Sequence, residues 1–288
     1  MNALEFVEEV KKSELCPDNF EEIYRDFQSY QRLAWDTLLE LHKICENNAI
    51  RYQLAFGSLL GVIRDGGQIP WDYDIDVFVV AEDRAKLVAA LTEGLNSKYY
   101  FDCAENNPSC RNEILRVCPR GYRTEALHVD VFFLVGAPEN EREYHDFVKR
   151  IAFLSNTRFE KLVNIKEEFA NRPKARILHT IRKLKFLLYN TEKMHREYLE
   201  LCSGYSIYRT EKGVEADSFA EKISVPSEYV RDTMLMEIQG AQLRVPVHYE
   251  SVLGVLYKEY YKVPALEDRI REMMYNYKRL KRFEAYKK

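Results

Sequence analysis

The 288-residue chain sets 43 lysines and arginines against 46 aspartates and glutamates, so it has no global basic surplus of the kind that holds nucleic acid, and its partners are expected to be small or locally recognised. No apolar run approaches the roughly 20 residues that span a bilayer, and Met1 to Lys12 lacks a positive segment followed by an apolar one, so a cytoplasmic location is expected. Six cysteines form no C-x-x-C pair; Cys103, Cys110 and Cys118 lie near one another, but no paired spacing or neighbouring histidine completes a zinc set, and reduced thiols are expected.

Residues 19–48 place Ala34, Leu38, Leu41 and Cys45 at helical spacing, with Trp35 and Leu39 widening the stripe, which predicts one long amphipathic helix. Tyr52, Leu54 and Phe56 then alternate as in a short strand, Gly57-Ser58 makes a tight turn, and residues 59–63 read as a helical turn. Past Gly66-Gly67 and Pro70, the run Asp74-Ile75-Asp76-Val77-Phe78-Val79-Val80 predicts a largely buried strand. A helix over 82–95 follows, then strands over 99–103, 114–118 and 127–135. Beyond Gly136 the pattern turns helical over 141–170, 174–188 and 192–202. A glycine- and proline-punctuated stretch, 204–246, precedes helices near 249–261 and 266–285.

Residues two apart in a strand share a face about 6.6 Å apart, so Asp74 and Asp76 are expected to project together, away from Ile75, Val77 and Val79. Carboxylates on an otherwise apolar strand repel one another and lose hydration, which a bound divalent cation offsets. Asp130 repeats the feature between Val129 and Val131, sharing its face with His128. These three aspartates make an oxygen-rich set suited to Mg²⁺ or Mn²⁺. An EF-hand beginning at Asp72 fails, because its sixth position is Val77 and its twelfth Asp83. Gly57 and Ser58 could cradle a phosphate on backbone amides, and Arg64, Arg116 and Arg123 are candidates for binding its oxygens. Asp72 is the first choice for activating an attacking hydroxyl, with outer-shell metal ligand or turn cap as its plainer role. Trp71 and Tyr73 flank the aspartates, as packing residues or as faces for a quaternary ammonium.

The run Phe56-Gly57-Ser58-Leu59-Leu60-Gly61-Val62-Ile63-Arg64, followed by Gly67-Gln68-Ile69-Pro70-Trp71-Asp72-Tyr73-Asp74-Ile75-Asp76, closely resembles the signature of the LicD phosphocholine transferase family. The likeness continues through His128-Val129-Asp130-Val131-Phe132, Val245-Pro246-Val247, Tyr257, Tyr260-Tyr261 and Val263-Pro264, and is weak between 140 and 240. Tyr73 departs from it, standing where many members carry another aspartate.

The resemblance implies an α+β, nucleotidyltransferase-fold mixed sheet with flanking helices and a largely helical C-terminal half. It divides the chain into a helical lead-in (1–48), a catalytic core (49–137) and a helical region for acceptor binding and core support (138–288). It implies transfer of a phospho-alcohol from CDP-choline or another CDP-alcohol to a glycan or lipid-linked glycan; relatives of the fukutin type transfer ribitol phosphate. Carried over, Gly57 and Ser58 match the phosphate turn, Asp74 and Asp76 the metal pair, and Asp130 the third ligand. A nucleotidyltransferase acting on CTP or ATP, a D-x-D glycosyltransferase and a non-catalytic glycan-binding subunit are the alternatives. A last expectation is peripheral membrane contact by the C-terminal helix, where Arg269, Arg271, Lys278, Arg279, Lys281, Arg282, Lys287 and Lys288 interleave with Tyr275, Tyr277, Phe283 and Tyr286.

Overall fold

Alternating β-branched and aromatic residues build the centre of the molecule, whose computed structural model describes residues 1–217, 220 and 223–284. Helices α1 (Ala3–Lys11) and α2 (Phe20–Asn47) lead into strands β1 (Tyr52–Leu54), β2 (Ile75–Val80), β3 (Tyr99–Asp102), β4 (Leu115–Pro119) and β5 (Val129–Gly136), which pair in the order β1-β2-β5-β4-β3. The β2–β5 pair is parallel and the other pairings are antiparallel. The architecture is the expected α+β, a mixed sheet with flanking helices.

Strand alternation puts Ile75, Val77, Val129 and Val131 on one buried face, where α2 lays Trp35 and Leu38 near Ile75. Helix α2 buries Tyr24, Phe27, Tyr30, Ala34, Leu38, Leu41 and Cys45, three to four residues apart, and each large side chain so buried contributes about 1.5–3 kcal/mol. The opposite face carries Asp76 with Phe78 and Asp130 with Phe132.

Helix α3 (Phe56–Leu60) continues into a π-helical turn, Gly61–Asp65, and α4 (Arg84–Gly94) follows β2. The π turn brings residue 61 against the next loop, where a Cβ would lie 2.5 Å from the Gly67 carbonyl oxygen, so only glycine fits there. After β5 come α5 (Glu141–Leu162), α6 (Ile165–Glu168), α7 (Pro173–Lys185) and α8 (Thr191–Gly204). The helix expected over 141–170 is thus two, because the backbone turns extended at Val163 (ψ 136).

The stretch 204–246 is less irregular than expected. It contains β6 (Lys212–Glu215), β7 (Ser224–Pro226), the four-residue α9 (Ser227–Val230), and a hairpin of β8 (Thr233–Ile238) and β9 (Ala241–Pro246). Strand β6 joins the main sheet: β4 pairs with the first half of β5 up to Val131, and β6 pairs with its second half from Leu134 to Gly136. Helices α10 (Tyr249–Tyr257) and α11 (Leu266–Glu284) complete the described chain, and no described helix is long and apolar enough to cross a membrane.

Several of the C-terminal basic and aromatic residues of that expectation make contacts within the molecule, while Arg271, Tyr275 and Lys278 are exposed. Arg269 is buried, pairs with Glu9 at 2.7 Å and lies over the rings of Phe6 and Trp71. Lys281 pairs with Asp26 at 2.7 Å, Tyr277 donates to the same carboxylate, Arg271 pairs with Asp268, and Phe283 is buried. Tyr286, Lys287 and Lys288 lie outside the described residues.

Candidate active site

Parallel pairing of β2 and β5 sets Asp76 and Asp130 directly opposite each other, although 53 residues lie between them in sequence. Asp74 lies just ahead of the strand rather than on it, because Asp72 forms a local turn: its Oδ1 accepts the backbone N–H of Tyr73 (2.8 Å) and of Asp74 (3.3 Å). Gln31 of α2 fastens this turn through the carbonyls of Ile69 (3.1 Å) and Asp72 (2.6 Å).

The Gly57-Ser58 turn abuts the same carboxylates. Ser58 Oγ accepts the Asp76 N–H at 2.8 Å, and the Ala55 N–H donates to the Asp76 carbonyl at 2.9 Å, tying the turn to β2. Phe56 enters it at φ 44, a conformation costly for a bulky side chain. Its ring lies 4.9 Å from that of Phe78 and 5.2 Å from that of Phe132, and this three-ring cluster on the aspartate face holds the strained residue in place.

The carboxylates differ in charge environment. Burial and then the charges of Asp130, Asp74 and Asp72 push the Asp76 carboxyl well above the usual range. Burial, with Asp74 and Glu272 adding to it, pushes Asp72 up to about 8. Asp130 goes the other way: burial opposes its ionisation, but Arg116 and His128 hold it below the ordinary carboxylate range. Arg116 Nε lies 2.7 Å from Asp130 Oδ1 and Nη2 3.4 Å from Oδ2, with His128 Nε2 3.3 Å from Oδ2.

Among the described residues, no three carboxylate, histidine or cysteine side chains stand close enough together to cage an ion as they are. The donor set nevertheless suits a hard divalent cation. Asp74 Oδ1 is buried without a hydrogen-bond partner, Asp76 is strained towards protonation by three like charges, and Asp130 Oδ1 keeps a lone pair beyond its single arginine contact.

The three arginines proposed for phosphate already have partners. Arg64 pairs with Asp65 (Nη2–Oδ2 2.7 Å) and lies over Trp71, Arg116 pairs with Asp130, and Arg123 pairs with Glu125 and Glu167. Trp71 is buried between the guanidinium groups of Arg64 and Arg269, and Tyr73 is fully buried against Phe27, so the structure gives both a packing role. His128 serves as a neighbour of Asp130. Cys103, Cys110 and Cys118 are buried thiols pushed up by desolvation, the first two to about 12.

Three groups absent from the sequence reading of the site face it. Arg279 of α11 makes no hydrogen bond or ion pair with the described residues; burial opposes its charge, while Tyr73 and Asp74 favour it. Tyr257 of α10 is pushed up by burial and then by Asp76 and Asp72; Glu272 is raised by partial burial and then by Asp74. A groove of about 300 Å³ opens beside the turn, and its wall includes Arg64 and Trp71 of the sequence-predicted set together with Gly57, Asp72, Tyr257 and Glu272. The Tyr257 and Tyr260-Tyr261 likeness was the available signal for this wall. Nothing local distinguishes Arg279 from the basic residues around it.

Residues 49–154 match the family described as "LicD/FKTN/FKRP, nucleotidyltransferase domain". This segment is thus similar to a LicD-family nucleotidyltransferase domain. It is 26% identical over 256 residues to the lipopolysaccharide cholinephosphotransferase LicD of Haemophilus influenzae, covering 83% of this chain and 92% of that protein. A 40-residue stretch, 14% of this chain, is 50% identical to the mouse and human proteins named ribitol 5-phosphate transferase FKRP and covers 8% of each. The LicD-family span contains β1 through β5, and therefore the turn and all four aspartates.

Proposed function

We propose that the protein is a phosphotransferase that moves a phospho-alcohol group, phosphocholine or a similar one, from a CDP-activated donor to a hydroxyl of a glycan. The observation that carries this reading is the Asp76–Asp130 pair set beside the Gly57-Ser58 turn within a LicD-family domain. The names of the similar proteins support it, since one is a cholinephosphotransferase and two are ribitol 5-phosphate transferases.

Asp74, Asp76 and Asp130 would hold Mg²⁺ or Mn²⁺, which when bound neutralises charge on the donor's diphosphate oxygens. The chain's own groups do the rest. The Gly57-Ser58 turn offers the donor a close backbone approach at the rim of the groove. Arg279, which makes no ion pair among the described residues, supplies a guanidinium for the diphosphate. The glycan oxygen bonds to the alcohol-side phosphorus, the bond from that phosphorus to the CMP phosphate breaks, CMP leaves and a phosphodiester forms. Asp72, whose Oδ2 borders the turn at Gly57 and whose proton affinity is raised, takes the hydroxyl proton. In this reading the chain works in the cytoplasm.

Incubating the purified protein with CDP-alcohols, Mg²⁺ and oligosaccharide acceptors tests the proposal. Acceptor-dependent CMP release supports it. Diphosphate release from CTP or ATP would instead identify a nucleotidyltransferase making an activated intermediate, and no turnover of any of these would leave a glycan-binding subunit.

A further inference from the structure

Helix α7 is oriented against the usual rule for a surface helix. Ile177, Ile181 and Leu184 recur at three- and four-residue spacing, and Leu188 continues the row in the turn that follows; they are 65%, 60%, 62% and 99% exposed, and no residue of the helix is fully buried. Its inner side is fixed largely by polar contacts. His179 Nδ1 lies 2.7 Å from Glu160 Oε2 and its ring stacks on Phe169 at 4.0 Å, while Lys183 donates to the Val163 carbonyl at 3.0 Å. Arg182 adds a contact to Glu160 at 3.1 Å, and Lys161 of α5 donates to the carbonyls of Leu187 and Tyr189, pinning the end of the segment. An apolar row that is driven out of water in ordinary helices is here held in water by the anchoring of the opposite side.

The charge around the row decides what covers it. Between Glu168 and Glu192 the chain has no acidic residue, yet it carries Arg172, Lys174, Arg176, Arg182, Lys183 and Lys185 in a protein whose net charge is −3. A second copy packed on this face by two-fold symmetry would set this basic stretch against its own like charge. An anionic lipid surface would meet both features at once, taking the apolar row into the acyl boundary and the lysines and arginines among the head groups. Thirteen residues cover about 20 Å at 1.5 Å per residue, suited to lying in the plane of the surface rather than crossing it.

We propose that α7 and the turn to Tyr189 are a membrane-docking face that binds anionic phospholipid. The inference is independent of the transfer reaction proposed above. The test is co-sedimentation of the full chain with vesicles of phosphatidylglycerol and phosphatidylcholine, and with phosphatidylcholine alone, at low and high salt. Anionic vesicles should bind about tenfold more protein than neutral ones, and high salt should weaken the binding. Ile181→Ser combined with Leu184→Ser should lower it about tenfold with the melting temperature unchanged, since both side chains already face water. Hydrogen exchange on the unmodified protein should slow in residues 173–189 when anionic vesicles are added. Failure to bind at low salt, binding undiminished in the double variant, or protection confined to other segments would each overturn the proposal. So would a dimer that the same substitutions dissociate in the absence of vesicle binding, which would assign the face to a second copy.

Discussion

Replacing Asp76 with asparagine keeps the shape of the side chain and removes one anion from a cluster in which burial and three other carboxylates oppose its charge. Without divalent cation the Asp76→Asn protein should therefore melt no lower than the parent. With cation the order reverses. An ion at one hundred times its dissociation constant stabilises the folded state by about 2.7 kcal/mol. At about 2.1 cal/mol/K per residue, 288 residues give an unfolding entropy near 0.6 kcal/mol/K, so the parent should gain about 4–5 °C. The variant should gain little, and its turnover should fall about a thousandfold, equivalent to about 4 kcal/mol of transition-state stabilisation. Melting curves with and without Mg²⁺, alongside a CMP-release assay, measure both quantities. An undiminished Mg²⁺ shift in the variant, or more than about a tenth of parental turnover, would refute the reasoning.

Arg279→Ala should raise KM for the CDP-alcohol or lower kcat/KM by about tenfold to a hundredfold, the loss of one charge-assisted contact, while leaving the fold intact because the guanidinium has no partner among the described residues. Steady-state kinetics against donor concentration checks this, and unchanged constants would remove Arg279 from the site. Acid stability offers a check away from the site: burial opposes ionisation of Glu105, but Arg84, 2.6 Å away, holds it at about 2 against an ordinary 4.5. This depressed carboxyl stabilises the fold fully above its ordinary value and loses that contribution as pH falls from about 4.5 to about 2, a difference of about 3 kcal/mol. Denaturant unfolding of the parent should weaken over that window more steeply than unfolding of Glu105→Gln; parallel curves would contradict the assignment.

The aspartates were legible because two carboxylates stand out in runs of valine, isoleucine and phenylalanine, where a charge is expensive. Their register was not, since pairing between β2 and β5 is a non-local choice made by the whole sheet. Asp74 read as a strand residue because alternation extends one step too far; the Asp72 turn overrides it. The ion pairs of the three arginines were hidden for a similar reason. Asp65, Asp130, Glu125 and Glu167 claim them, and of these only Asp65 and Glu125 are near neighbours in sequence. The β8–β9 hairpin left a readable mark: apolar and polar residues alternate from Ala241 to Val245, just after Gln239-Gly240, where both residues adopt positive φ. Arg279 and the outward-facing α7 left no such mark, because which side of a helix is anchored depends on what it packs against.

The split pairing along β5 limits how the chain can be cut. Residues 49–154 carry the aspartates, but a fragment with those ends would lose β6, which covers Leu134 to Gly136, and α2, which covers the apolar face of the sheet. It would expose an apolar strand edge and a bare sheet surface together, the combination that templates aggregation. The segment that carries the aspartates is therefore not a transplantable cassette. Chimaeras built to exchange donor or acceptor preference should carry α2 and β6 along with it, and insoluble short fragments would report missing structural support rather than a defective site.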